Sequence, residues 1–277
     1  MTNGPAMTSA DPFGAFKAAQ REGWSLFAPL EASTTIPAWR LVQFARVTAG
    51  QRVLDVACGT GVVAVTAARA GAEASGLDLT PALLERAREN AAMAGVHVAF
   101  TEGDAEALPF PDASFDVVLS QFGHIFAPRP AVVTSEMLRV LRPGGRLAFS
   151  TWPPDAYTGR MFALVARYAP PPPGGAPAPA PPGQWGHPDV IRERLGDAVT
   201  DLAFERETMI VPALSPEHAR AVSESTVGPL IRVLAALRSD RERLERLRAE
   251  LLDLIREEWT ENQLRRAFLM SRATKRN

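Results

Sequence analysis

The chain has 277 residues, 46% of them hydrophobic and 22% charged, which supplies a sizeable core and excludes a wholly disordered chain. Its 30 Lys and Arg against 31 Asp and Glu leave a formal net charge of -1, so the global basic footprint of a nucleic-acid-binding protein is not found. One cysteine, Cys58, excludes an intramolecular disulfide and a Cys/His metal cluster.

In chain order, residues 1–11 read as loose, and the start MTNGPAMTSADPFG lacks the basic beginning and apolar run of a secretory leader. No apolar run approaches the ~18 residues of a membrane span, so a cytoplasmic protein with no membrane partner is expected. Residues 13–30 read as a helix offering Phe13, Phe16, Trp24 and Phe27 to one side, and a second helix covers 36–48. An alternation then begins. QRVLDVA (51–57) is a strand, GVVAVTAARA (61–70) a helix, AEASGLD (72–78) a strand and PALLERARENAAMA (81–94) a helix, with Pro81 at its first position behind a Thr80 cap. HVAFTEG (97–103), FDVVLSQ (115–121) and RLAFST (146–151) are strands, and a helix near 130–141 is stopped by Pro143 and the glycines of RPGG. The stretch PPPPGGAPAPAPPG (170–183) can hold neither a helix nor a central strand and reads as a surface loop with polyproline II character. DLAFERETMIV (201–211) is a strand, and 215–260 reads as two or three helices. The last of these carries a stripe of Leu244, Leu247, Leu251, Leu254 and Ile255 that is too short for a coiled coil. QLRRAFLMSRA (263–273) is a final strand.

Short apolar strands alternating with helices predict an α/β fold: a doubly wound, mostly parallel sheet of about seven strands, covered on both faces. Right-handed crossovers put the C-terminal ends of the parallel strands on one edge, where such sheets bind ligands. Gly59, Asp78, Asp104 and Ser120 are therefore expected to converge. The chain divides into N-terminal helices forming part of a lid (1–48), a core (49–211) containing the proline-rich loop 170–183, a helical lid insertion (212–262) and the last strand of the core sheet (263–277).

The stretch VLDVACGTGVV (53–63) carries the first chemistry. Gly59 and Gly61 allow a tight turn and close approach of the backbone to a ligand. The helix that follows points free N–H groups and its positive dipole end into the site. Taken alone, the pattern fits a ligand-free turn, a dinucleotide loop (Gly59-Thr60-Gly61-Val62-Val63-Ala64 matches G-x-G-x-x-A) or a loop for a different adenosine-bearing cofactor. Further motifs follow in order: GLDLTPALLERAREN, EGDAEALPFPDASFDVVLS and EMLRVLRPGGRLAFSTW. With the first, they resemble the class I S-adenosylmethionine-dependent methyltransferases over about residues 45–152. The resemblance is nearest to the branch containing the ubiquinone and menaquinone biosynthesis C-methyltransferases and many small-molecule methyltransferases. A dinucleotide oxidoreductase is not expected to carry the last two motifs, and neither Tyr157 nor Tyr168 has a suitably spaced lysine for a Tyr-Lys pair.

The resemblance implies S-adenosyl-L-methionine as cofactor and assigns roles by position. Asp55, Ala57, Gly59, Thr60 and Gly61 surround its amino-acid part, with Asp55 accepting from the ammonium directly or through water. Asp78 accepts from two ribose hydroxyls and Leu79 packs on the adenine. Asp104 accepts from the adenine amino group, while the backbone amide of Ala105 meets a ring nitrogen. Ser120 and Gln121 face the methyl-donor region. His124, in SQFGHIF, is the candidate general base, and Trp24, Phe27 and Trp152 are candidate pocket walls; His97, His187 and His218 receive no role. Cys58 fills the turn as a small apolar residue and is not read as a nucleophile. No metal is expected. The expected partner is a small, partly apolar methyl acceptor and not nucleic acid. Oxygen or carbon is favoured over nitrogen as the accepting atom, because His124 could serve as base and no acidic pair marks an amine pocket. The reading from another class is a non-catalytic S-adenosylmethionine-binding sensor.

Overall fold

A computed structural model describes residues 11–171 and 178–277. Nearly all of the 1–11 reading, and the middle of the proline-rich stretch, lie outside the described residues. The N-terminal region does not form one helix over 13–30. It breaks into α1 (Gly14–Trp24), a 3-10 turn (Ala28–Leu30) and α2 (Glu31–Phe44). Pro29 falls in the turn, where its fixed φ is tolerated. Pro37 is buried inside α2, and the hydroxyls of Ser33, Thr34 and Thr35 donate back to the carbonyls of Leu30, Glu31 and Ala32 in the turn before it. The helix therefore starts five residues earlier than the sequence reading places it and ends before 48.

The strands are β1 (Arg52–Val56), β2 (Glu73–Asp78), β3 (Val98–Glu102), β4 (Phe115–Gln121), β5 (Leu141–Thr151), β6 (Val199–Pro212), the short β7 (Trp259–Thr260) and β8 (Gln263–Lys275). Between them lie α3 (Val62–Arg69), α4 (Pro81–Met93), α5 (Pro130–Val140), α6 (Tyr157–Tyr168), α7 (Pro188–Leu195), α8 (Pro216–Thr226), α9 (Gly228–Ala236) and α10 (Arg241–Glu258). They form one eight-stranded sheet in the order β3-β2-β1-β4-β5-β8-β6, with β7 paired to β8. The pairs from β3 through β5 are parallel; β8 runs antiparallel to both β5 and β6. Central strands carry apolar residues on consecutive positions because both faces are covered: Val117, Val118 and Leu119 are all fully buried. β5 begins at Leu141, not 146, because the RPGG segment is extended and joins β4 through a register shift between Phe115 and Val117. Neither α6 nor α7 was anticipated.

Two features of this topology position the site. The strand order reverses at β1, with β2 on one side and β4 on the other, which opens a crevice at the C-terminal end of β1. In addition, the antiparallel β8 begins at the edge where β5 ends: Thr151 pairs with Leu269, so residues 263–268 project beyond β5 toward the same crevice. Among the described residues, no helix is long and apolar enough to cross a membrane.

Candidate active site

Beyond β1 the chain turns sharply through Ala57 (φ 54°), Gly59 (φ 55°) and Gly61 (φ 77°) before α3 begins. The two glycines serve different ends. A Cβ on Gly61 would lie 2.9 Å from Ala87 Cβ and 2.9 Å from the Phe100 ring, so this glycine lets the turn pack on α4 and β3. A Cβ on Gly59 would meet nothing within 4 Å, because that side of the residue faces the crevice. Cys58 is buried, and burial pushes its thiol well above the ordinary range, which agrees with a packing role.

Three carboxylates stand at successive strand ends. Asp55, 1% exposed, accepts from Ala64 N at 3.1 Å through Oδ2, while its buried Oδ1 has no partner. Burial pushes its pKa well up, the Ala64 N–H opposes that rise, and the Asp78 charge adds to it. Asp78 accepts from Gly59 N and Thr80 N, both at 2.8 Å. Burial raises its pKa and the backbone donors hold it back. Thr80 occupies the N-cap position of α4 without a side-chain capping bond. Asp104 accepts from Glu106 N at 2.9 Å and from Lys17 Nζ at 2.6 Å. Lys17 comes from α1 and also pairs with Asp11 at 2.6 Å and Glu106 at 2.7 Å. Burial disfavours its ammonium, but the carboxylate partners outweigh burial and hold its pKa above the usual lysine value.

One cavity, open to solvent on one side, brings most of the predicted residues together. Asp55, Ala57, Gly59, Thr60, Asp78, Leu79, Asp104, Ala105 and Gln121 all line it; Gly61 does not, and packs on Ala87 and Phe100 instead. Gln121 donates from Nε2 to Thr34 O at 3.0 Å, which ties β4 to α2. Trp24, Phe27 and Trp152 line the cavity as expected.

Ser120 and His124 lie elsewhere. Ser120 is fully buried; its hydroxyl donates to Val56 O at 2.7 Å and accepts from His124 N at 3.2 Å, joining the ends of β1 and β4 to the next turn. His124 is also fully buried, its ring set edge-on between Phe149 (4.9 Å) and Trp185 (4.6 Å), with no partner on either nitrogen. Burial, with the Arg194 charge adding, pushes its pKa down to about 3. The expectation of a general base here is corrected: the imidazole does not reach the cavity and stays neutral near pH 7. The backbone after β4 stays at the edge, since Phe122, Gly123 and Phe126 line the cavity, but the His124 side chain packs inward on Phe149 and Trp185. One of the two grounds for favouring oxygen or carbon as the accepting atom goes with it.

Several lining residues were not foreseen from sequence, among them Lys17, Phe122, Phe162, Met209, Val227 and Arg266. Two left a signal. Lys17 is one of two lysines in an otherwise arginine-based chain. Arg266 interrupts a row of alternate apolar residues on β8, Leu264, Phe268 and Met270, all 2% exposed or less.

An open α/β sheet with a left-handed glycine turn at its switch point and acids at the neighbouring strand ends is the arrangement of a doubly wound α/β protein with a ligand crevice at its switch point. Comparison with known proteins narrows this class. Residues 53–145 match the family described as "Methyltransferase domain". An uncharacterised protein of Mycobacterium tuberculosis is 36% identical over 236 residues, covering 85% of each chain. A demethylmenaquinone methyltransferase of Thermus thermophilus is 43% identical over 130 residues, 46% of this chain and 58% of its own. A solved structure of a putative methyltransferase from Bacillus halodurans superposes with a TM-score of 0.56 at 24% identity, covering 87% of this chain and 99% of that one. The chain belongs to the class I S-adenosylmethionine-dependent methyltransferases. Every residue predicted to hold the cofactor lies inside the matched segment, whereas Trp24, Phe27, Trp152, Phe162, Val227 and Arg266 lie outside it.

Proposed function

We propose that the polar end of the cavity holds S-adenosylmethionine and that its aromatic end holds a small, partly apolar methyl acceptor. The observation that carries this reading is the continuity of one cavity from the strand-end acids to a chamber walled by Trp24, Phe27, Trp152, Phe162 and Met209. The residues present fit the cofactor. The unpartnered Oδ1 of Asp55 is an acceptor for an ammonium, whose charge would return the carboxyl to its ionised form. The bare side of Gly59 admits an amino-acid tail beside the start of α3. Each oxygen of Asp78 carries one backbone donor and keeps a lone pair for a ribose hydroxyl. Leu79 and Ala105 flank the place of the adenine.

S-adenosylmethionine supplies a methyl group already activated on a sulfonium, so the chain's task is alignment and exclusion of water. Helix α1 and the aromatic walls close over the crevice, and Lys17 fixes α1 to Asp104 at its rim. Among the described residues, none lining the aromatic end is a carboxylate or an imidazole, so the accepting atom must be nucleophilic in the state in which it binds. A sensor that only bound the cofactor would have no need of this aromatic lining. Calorimetric titration should give binding of S-adenosylmethionine and none of NAD, and a screen of small acceptors with methyl-labelled cofactor should give transfer. Binding of NAD alone would overturn the reading.

A further inference from the structure

We infer that Arg266 selects the methyl acceptor: the aromatic end of the cavity takes an organic carboxylic acid, its carboxylate held by the outer edge of the Arg266 guanidinium and its apolar body against Trp152 and Met209. This rests on the cavity being the methyl-transfer site proposed above. The charged residues that line the cavity are Lys17, Asp55, Asp78, Asp104 and Arg266. The first four are accounted for at the polar end, Lys17 by its three carboxylates. Arg266 alone stands among aromatic and aliphatic walls.

Its placement follows from the sheet. Arg266 pairs in register with Met209 on β6, at the end of β8 that overshoots β5. The guanidinium carbon lies 4.8 Å from the Trp152 ring centroid and 5.9 Å from that of Tyr157, and Nε donates to Thr158 Oγ1 at 3.0 Å. Those contacts fix the plane of the group. They use one N–H of five and leave the edge carrying both terminal nitrogens, the edge that meets a carboxylate in two parallel hydrogen bonds. Among the described residues no carboxylate pairs with it, although burial works against its charge. Arg266 is half-buried, and a cation drawn partly out of water without a counter-charge is left short of compensation, because a guanidinium does not lose its proton. The cofactor's sulfonium would add a second positive charge to the same apolar chamber. An anionic acceptor answers both, and a cationic amine would meet repulsion from both.

The test uses full-length protein loaded with S-adenosylhomocysteine and calorimetric titration with aryl and alkyl carboxylic acids, each beside its primary amide. In the wild type at least one acid should bind tenfold or more tightly than its amide, a comparison that needs no variant. Arg266→Met, which keeps the aliphatic stem, should weaken that acid at least tenfold while leaving amides and S-adenosylhomocysteine within about threefold. Arg266→Lys should recover part of the loss. Acids binding no better than amides, no acid binding at all, or aryl phosphates outranking every acid would overturn the assignment. If S-adenosylhomocysteine itself failed to bind the wild type, the methyl-transfer reading would fall first and this inference with it.

Discussion

Asp78 is held in place before any ligand arrives, because Gly59 and Thr80 each give it a backbone N–H. Its loss removes an acceptor from the ribose position and frees the glycine turn. Asp78→Ala should therefore weaken S-adenosylmethionine by about 1–3 kcal/mol in calorimetric titration; an unchanged Kd would refute the assignment. His124 makes a different prediction. Its pKa falls from 6.5 to about 3 on folding, so the unfolded chain binds a proton below pH 6.5 that the folded chain refuses. This contribution to stability is full above pH 6.5 and is lost as the pH drops, at up to about 1.4 kcal/mol per unit. His124→Phe, seated between Phe149 and Trp185, should flatten the stability–pH curve between pH 6.5 and 5 in urea titrations while turnover persists. The acids were legible in sequence because a strand end followed by a turn puts its last residue on the sheet edge. His124 was not, since its neighbours Gly123 and Phe126 do reach the cavity while its own ring packs inward between Phe149 and Trp185, partners distant in sequence that no motif announces.

Helix α1 is attached to the core by polar contacts at the site rim as well as by Trp24 against Phe126. Lys17 reaches three carboxylates, Gln20 Nε2 donates to Phe126 O at 3.1 Å, and Arg21 pairs with Glu102. Lys17→Met would leave Glu106, 1% exposed at its side chain, with only Arg129 as counter-charge. We expect a loss of about 2–3 kcal/mol in the docking of α1, read as faster amide exchange over 14–24 with the sheet amides unchanged. Helix α10 is attached differently, by Leu247, Leu251 and Ile255, all fully buried. Leu251→Ala should cost about 2–5 kcal/mol in urea denaturation. The stripe on α10 could be read directly from its 3.6-residue spacing, as could the β1–α3–β2–α4–β3 alternation. The break in 13–30 and the early start of α2 could not. The first places Pro29 in the 3-10 turn and the second carries hydroxyl-to-carbonyl bonds ahead of Pro37, local features that apolar periodicity does not encode.

Across the molecule, the cavity is bounded by residues from α1 to β8, so a ligand filling it would touch elements from both ends of the chain. Cofactor at a hundred times its Kd should add about 2.7 kcal/mol to the unfolding free energy. Exchange protection should rise together in the β1–α3 turn and in α1. Protection confined to the turn would show that α1 takes no part in closure. The sheet and its binding edge were readable from sequence because they follow from short-range alternation and one handedness rule. The far wall was not, because Trp152, Met209 and Arg266 meet only once β5, β6 and β8 have paired across more than a hundred residues. On the function proposed above, donor and target are served by separately encoded stretches: one compact block would grip the donor, and scattered outlying pieces would shape the berth for the target. Descendants of such a gene can exchange one clientele for another by rewriting those outlying pieces alone. Kinship traced through the block then reports a shared tool and stays silent about the workpiece.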